Sequence, residues 1–333
     1  MPEAVSLPAP TAPDPVAIRA TLINRRDRLA ALPQAATATR VASLLSEIDA
    51  ALDRLEGGHY GACSRCDGSV EADRLAADPL ATVCLDCLNE GERRALERDL
   101  ETASRVQAAL LPARDFANAA WRGHYAYLPY GAVSGDYVDV VASSEDLLVM
   151  VGDVAGKGVA AAMLMSQLHA MFRATAAPGL GLGEMMQRVN RLLGAATTAN
   201  AYATLAAARL RADGSVELCN AGHASPLLLS AQGVEPLPAD GLPLGLFAEA
   251  EYSTRTIPVG AGEGLLLYTD GLSEGRGPDG CELGVDGLRS LLGGSPKDAP
   301  AGLVELCLGA AASHRGGAPA HDDLTVMALL RAR

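Results

Sequence analysis

Two groups of residues in this sequence have the types and spacing that chemistry requires. The first is acidic. Asp136 and Asp153 stand at the outer ends of two apolar, β-branched-rich runs that flank the polar turn Ser143-Ser144-Glu145-Asp146, the pattern of an antiparallel hairpin. With the turn centred between Ser144 and Glu145, Asp136 faces Asp153. Carboxylates side by side repel unless a cation lies between them, so the pair reads as a divalent metal site rather than as two solvated turn residues. GLLLYTDGLSE (264–274) and HDDLTVMALL (321–330) repeat the arrangement, with Asp270 ending one apolar run and Asp322 and Asp323 preceding another. Paired antiparallel, these runs place Asp270 and Asp322 at one sheet edge. Hard oxygen donors of this kind suit two Mn²⁺ or Mg²⁺ ions rather than zinc. Such ions turn water into a nucleophile and neutralise a phosphate. Adjacent strand residues point to opposite faces, so Asp323 is secondary to Asp322. By the same parity Asp139 serves as a hydrogen-bonding neighbour of Asp136.

The second group is thiol. Cys63-x-x-Cys66 and Cys84-x-x-Cys87, separated by a loop, have the spacing of a four-cysteine zinc ribbon. Four thiolates close the shell of one Zn²⁺ and leave no open position, which gives the ion a folding role. A redox switch in which oxidation expels the zinc is the alternative. The remaining cysteines of the seven, Cys219, Cys281 and Cys307, read as buried small hydrophobes. His59 reads as a turn residue beside a shell that is already complete.

The motifs GDYVD, GDVAGKGVAAAMLM, NAGH, YTDGLSEG and DDLTV follow in this order between residues 135 and 326. Together they resemble the metal-dependent Ser/Thr protein phosphatases of the phosphatase 2C superfamily, in its bacterial SpoIIE/RsbU-type branch. The resemblance covers about two-thirds of the chain. It implies an α+β fold, a central β-sandwich flanked by helices. It also implies that Asp153 bridges two ions, that Val154 adds its backbone carbonyl, and that Asp136, Asp270 and Asp322 complete the coordination. The implied substrate is a phosphoserine or phosphothreonine protein, in this branch an anti-sigma factor antagonist. The segment 57–90 resembles the DksA/TraR-type zinc finger, whose helical hairpin enters RNA polymerase with acidic residues at its tip. Here the tip, PQAATATR (33–40), has none, so the segment reads as a sensing or docking module, with RNA polymerase binding as the other use.

The elements that position these residues follow from patterning. Residues 1–15, rich in Pro and Ala, read as a disordered tail. Residues 16–90 form the first domain, with helices over 18–32 and 42–55 joined as a hairpin ahead of the cysteines. Residues 91–112 form a linker helix in which Leu96, Leu100, Ala103, Val106 and Leu110 make a coiled-coil-like seam. In the resembling branch such a helix pairs two copies of the chain and passes a signal to the helix after GDVAGKG. The phosphatase domain spans 113–333, with strands expected over 121–128, 201–211, 215–220, 227–230 and 252–258, and helices over 159–175, 183–193 and 301–312. Gly152, Gly156 and Gly158 let the backbone turn tightly beside the ions. Lys157 reads as an exposed turn lysine with a second use toward substrate. His223 in NAGH is a candidate general acid, though a loop residue of this kind more commonly ties down backbone.

Composition sets limits. The 333 residues are 49% hydrophobic and 20% charged, ordinary for globular domains, and the net charge of −13 argues against a general nucleic-acid surface. No apolar run has the length of a membrane span and no signal-peptide pattern opens the chain, so a cytoplasmic location with no membrane contact is expected. Neither a Walker loop nor a Rossmann fingerprint supports a nucleotide enzyme. A zinc-finger regulator carrying an inactive phosphatase-like domain is the rival reading, and the presence of all four aspartates weighs against it.

Overall fold

The fold is described from a computed structural model covering residues 18, 19, 22, 23, 26, 38–143, 146–176, 179–197, 202–239, 241–278, 280–294, 298–317, 320 and 322–333. The chain divides into two compact units, Met1–Asp99 and Leu100–Arg333.

In the first unit, α1 (Ala38–Glu56) starts earlier than its apolar pattern suggests. Its Ile48, Ala51 and Leu52 recur at helical spacing and pack with Ile18 and Leu22 in one small core. The disordered tail expected over 1–15 and most of the connecting segment 33–40 lie outside the described residues, as does much of the expected helix 18–32. Helix α1 ends on glycine. Gly58 adopts φ +71°, while the Gly57 and His59 amides cap the carbonyls of Asp53 and Arg54 at 2.9 Å each. A short α2 (Ala72–Ala77) lies between the two cysteine pairs. Helix α3 (Glu90–Ala108) begins in this unit and ends in the second. The Asn89 side chain and the Glu92 amide, with Glu92 returning to the Asn89 amide, form a capping box at its start.

The second unit is a sandwich. Strands β1 (Asp115–Ala117), β2 (Trp121–Leu128), β3 (Tyr137–Ala142) and β4 (Asp146–Val154) come first. Helices α4 (Gly158–Thr175) and α5 (Leu182–Ala196) follow. Then come β5 (Ala203–Arg211), β6 (Ser215–Ala221), β7 (Leu227–Ser230), β8 (Gly233–Pro236), β9 (Arg255–Pro258) and β10 (Gly264–Tyr268). Helices α6 (Asp270–Ser273), α7 (Gly284–Gly293) and α8 (Pro300–Arg315) lead to β11 (Leu324–Arg331). One sheet has the order β1-β2-β11-β10-β7-β8 and the other β3-β4-β5-β6-β9, and all their pairings are antiparallel.

Alternation within single strands builds the layers. Leu147, Val149 and Val151 of β4 meet Trp121, Tyr125, Leu265, Leu267 and Met327 between the sheets. Leu148, Met150 and Val154 point the other way, onto Met165, Leu168 and Phe172 of α4 and Met185 and Val189 of α5. On the far side, Leu266, Val326 and Ala328 pack with Leu288, Leu292, Leu303 and Cys307 of α7 and α8. With both faces covered, the central strands read as continuous apolar runs. The first expected strand matches β2, and the strand expected over 252–258 is confined to Arg255–Pro258. Glycine-rich α7 and the short edge strands β1 and β8 carried no expectation. Among the described residues, no helix is long and apolar enough to cross a membrane.

Candidate metal centre

The β3–β4 hairpin has the expected register. Tyr137 pairs with Gly152, and one step beyond the ladder the Val154 amide donates to the Gly135 carbonyl at 3.3 Å, which sets Asp136 opposite Asp153. Two glycines shape the approach. A Cβ on Gly152 would lie 2.5 Å from the Thr204 carbonyl, so only glycine lets β5 come this close. A Cβ on Gly135 would lie 3.1 Å from the Val154 carbonyl and 3.3 Å from Asp153 Oδ1, filling the space those oxygens face. The following turn needs left-handed backbone at Gly156 (φ +103°) and Gly158 (φ +72°).

The other carboxylates arrive from the second sheet. Strands β10 and β11 pair with Tyr268 opposite Val326, which brings Asp270, just after β10, near Asp322, just before β11. Asp270 does not end a strand as expected. It opens the short helix α6, because the ladder stops at Tyr268. The acidic groups feel one another. Burial, reinforced by the charges of Asp270, Asp322 and Asp323, pushes the Asp153 carboxyl up to about 7. Asp270 is raised by burial and then by Asp322. Burial holds Asp136 well above the usual carboxylate range, with Asp153 and Asp323 adding to it. The hydroxyls of Thr325 (2.5 Å) and Thr269 (2.9 Å) oppose this by donating to Asp136 Oδ2. Both threonines are fully buried on adjacent strand ends, a place where an apolar residue would otherwise stand.

The two neighbouring aspartates have separate duties. Asp323 is buried and accepts the Tyr130 amide (2.7 Å) and the Gly135 amide (2.9 Å), tying β11 to the loop ahead of β3. Asp322 is half-exposed and pairs with Lys157 Nζ at 2.9 Å. Lys157 is exposed, as expected of a turn lysine, and stands at the acidic cluster, 5.6 Å over the Tyr130 ring. Asp139 is wholly buried and holds Arg173 of α4 in a two-pronged ion pair (2.5 and 2.7 Å). His223 is buried too. Its Nδ1 lies 2.8 Å from Thr204 Oγ1, and Asn220 Oδ1 accepts its amide at 2.7 Å. Burial lowers the imidazole to about 4, so at neutral pH it is uncharged.

Sequence reasoning did not single out Thr269, Thr325, Ser134 or Gln107. The threonines carried a signal, since each is a hydroxyl inside a run otherwise buried and apolar. Gln107 carried none: a polar residue on the linker helix gives no sign of burial, yet Gln107 is only 4% exposed, while Val106 of the seam is 59% exposed.

The cysteine cluster belongs to the first unit. The sulfurs of Cys63, Cys66, Cys84 and Cys87 all lie within 4.8 Å of one another. Among the described residues no other group of three or more His, Cys, Asp or Glu is so tightly gathered, so the aspartates form the more open set. The amides of Cys84 (3.3 Å) and Arg65 (3.5 Å) donate to Cys63 Sγ and pull that thiol down to about 6. Amide-supported sulfurs at this separation fit a zinc shell. Arg65 ties the cluster to the start of α3 through Glu92 (2.8 and 3.0 Å) and the Cys87 carbonyl. Of the isolated cysteines, Cys219 and Cys307 are buried as expected, whereas Cys281 is exposed, on the irregular segment after α6.

The profile described as Stage II sporulation protein E (SpoIIE) matches residues 143–332. The phosphoserine phosphatase RsbU of Bacillus subtilis is 25% identical over 193 residues, 57% of this chain and 58% of the relative. The chain spans about half the length of the curated relatives it matches. The SiaA-PP2C domain of Pseudomonas aeruginosa superposes with a TM-score of 0.64 at 20% identity, covering 72% of this chain and 98% of that one. The RsbU and RsbW domains of Rv1364c from Mycobacterium tuberculosis give a TM-score of 0.54 at 28% identity, over 64% of this chain and 60% of that one.

Proposed function

The chain belongs to the SpoIIE family, and on that premise we propose that it hydrolyses phosphoserine or phosphothreonine on a regulatory protein, using two Mn²⁺ or Mg²⁺ ions held by its aspartates. One observation carries the reading. Four carboxylates from both sheets converge on the end of the sandwich, and their mutual charge with burial pushes Asp153 to about 7. A site that unfavourable is built for cations.

Asp153, with the Val154 carbonyl beside it and Asp136, Asp270 and Asp322 around, would hold the two ions. Bound there, they would supply a hydroxide nucleophile at neutral pH and neutralise the phosphate. The chain does the rest. Thr325 and Thr269 fix the rotamer of Asp136. Gly135 leaves the Asp153 and Val154 oxygens uncovered. Lys157, paired with Asp322, supplies positive charge where a phosphoprotein approaches. Asp323 is a loop anchor rather than a ligand. His223, uncharged and bonded to Thr204, serves structure and not proton donation.

The four cysteines hold one structural Zn²⁺ in a DksA/TraR-type finger, preceded by a helical hairpin. The domain limits are those of the sequence pattern: 16–90, a linker helix over 91–112 and the phosphatase domain over 113–333. The relative named a phosphoserine phosphatase, and the chain that joins RsbU and RsbW domains, support a protein substrate in a signalling pathway. We assign that role to an anti-sigma factor antagonist. The linker helix pairs two copies of the chain, with exposed Val106 on the seam. RNA polymerase binding by the finger is the lesser reading, since the hairpin tip lacks acid.

The decisive assay is Mn²⁺-dependent hydrolysis of an aryl phosphate by the full-length protein and by Asp153→Asn. Metal-dependent turnover that disappears in the variant supports the reading. A folded wild type that is inert with metal toward both the aryl phosphate and phosphorylated antagonist removes it.

A further inference from the structure

Helix α3 ends with its polarity inverted. Val106 is turned to solvent while Gln107 is buried. Burying an amide is unfavourable unless its donor and acceptor are both met. Here both are met by one residue. Gln107 Nε2 donates to the Ser134 carbonyl at 2.7 Å, and the Ser134 amide donates to Gln107 Oε1 at 3.0 Å. The amide thus docks on the backbone N–H and C=O of a single residue, the way a neighbouring strand would. Ser134 in turn is fully buried, and its Oγ accepts the Asp136 amide at 3.0 Å. Next in sequence, Gly135 is held by Asp323 through its amide and meets Val154 through its carbonyl.

We infer that Gln107 is a positioning residue for the metal centre: it fixes the Ser134 peptide, which fixes the backbone that presents Asp136. The inference rests on the reading of Asp136 as a metal ligand. It gives the linker helix a specific point of action. Any rotation or fraying of the last turn of α3 breaks the Gln107–Ser134 bonds before it disturbs the sandwich. No bulk movement of the sheets is needed for the helix end to alter the site.

The test uses the full-length protein and three variants, Gln107→Leu, Ser134→Ala and the double variant. Three quantities are read: amide hydrogen exchange over residues 130–140, Mn²⁺ affinity by calorimetry, and steady-state hydrolysis of a phosphopeptide. Gln107→Leu keeps the size of the side chain and loses both bonds. The expected result is exchange at Ser134 faster by about tenfold and Mn²⁺ affinity weaker by about tenfold. kcat falls with it, and KM for the phosphopeptide stays within about twofold. Because the two residues act in series, the double variant loses little beyond either single one. Unchanged Mn²⁺ affinity in Gln107→Leu overturns the inference, and so do fully additive losses. If Gln107→Leu fails to fold, Gln107→Asn, polar but one methylene short of Ser134, takes its place. A wild type that binds Mn²⁺ yet hydrolyses nothing defeats the phosphatase reading alone, and the exchange and affinity arms still decide the role of Gln107.

Discussion

The cysteine cluster and the aspartate cluster solve the same problem, gathering like-charged ligands, in opposite ways. The four cysteines come from one short segment, and their sulfurs sit within 4.8 Å of one another. Two short turns form them, and the amides of Arg65 and Cys84 both donate to one sulfur, Cys63 Sγ. The aspartates come from both sheets and from segments more than a hundred residues apart, and they stay more open. Their scaffold is the sandwich itself, with its own buried core. On the proposed reading, the difference separates a metal that makes a fold from a fold that makes a metal site. A closed shell with little core around it depends on its ion. An open set on a rigid support can exchange water and substrate.

Removing each metal is the strongest way to break this contrast. Stripping zinc, or replacing Cys84 by Ser, is expected to unfold the segment 61–88. Zinc-peptide affinities put the free energy at about 10 kcal/mol, while among the described residues the nearby helical core is small, with Ile18, Leu22, Ile48, Ala51 and Leu52 buried. Hydrogen exchange should show that segment opening while the sandwich strands stay protected. If the segment keeps its protection without zinc, the shell is not structural.

Asp153→Asn tests the other half. Loss of this proposed ligand should remove about 4 kcal/mol of transition-state stabilisation, roughly a thousandfold in kcat. The fold should gain, since burial and the Asp270, Asp322 and Asp323 charges disfavour the ionised carboxylate at this position. Metal-free Asp153→Asn is therefore expected to melt above metal-free wild type. A lower melting temperature would show that the carboxylate supports the scaffold and would blur the distinction drawn here.

The same contrast explains what could be read from the sequence. The cysteine spacing is local, so the gathering of the four sulfurs was legible outright. The Asp136–Asp153 register was legible because one hairpin with an unambiguous turn carries it, and a one-residue slip would turn every core side chain of β4 outward. The supports were not legible. Thr325 reaches Asp136 across 189 positions and Asp323 reaches Gly135 across 188, and no periodicity encodes such meetings. Nor does periodicity mark Gln107, which is buried at a helix end by a single pair of bonds to the Ser134 backbone. Glycine-rich α7 escaped notice because its sequence, GVDGLRSLLG, has poor helix propensity, and it is a helix by virtue of Leu288 and Leu292 packing on the sheet.

A smaller effect separates the supports of the aspartate site from its ligands. His223 has a folded value of about 4, below its unfolded value near 6.5. The unfolded chain therefore binds the proton more tightly. Above pH 6.5 the group contributes nothing to the pH dependence, and as pH falls from 6.5 to 4 stability is lost, by about 3 kcal/mol in total. Denaturant melts of metal-free wild type and His223→Gln at pH 7 and pH 4.5 isolate this from the aspartates, which both proteins share. The wild type should lose more stability on acidification. Equal losses would mean that the ring is solvated or that Nε2, which has no hydrogen-bond partner among the described residues, gains one on protonation.

The finest test concerns the hydroxyls on Asp136. Thr325→Val preserves shape and β-branching and removes only the donor that lies 2.5 Å from Asp136 Oδ2. Thr269 remains, but its Oγ1 also accepts the Thr325 amide, so it is already committed to two partners. Groups that orient a ligand carboxylate typically matter by about ten- to a hundredfold in metal affinity. With one of two donors left, the lower end is expected, about tenfold or 1.4 kcal/mol. Calorimetric Mn²⁺ titration reads this directly, and the melting temperature of the metal-free protein should move by only a few degrees. If Mn²⁺ affinity is unchanged while metal-free stability falls, the threonines serve only to make a buried carboxylate tolerable. Asp136 would then belong with the scaffold, and the open set would be reduced to Asp153, Asp270 and Asp322.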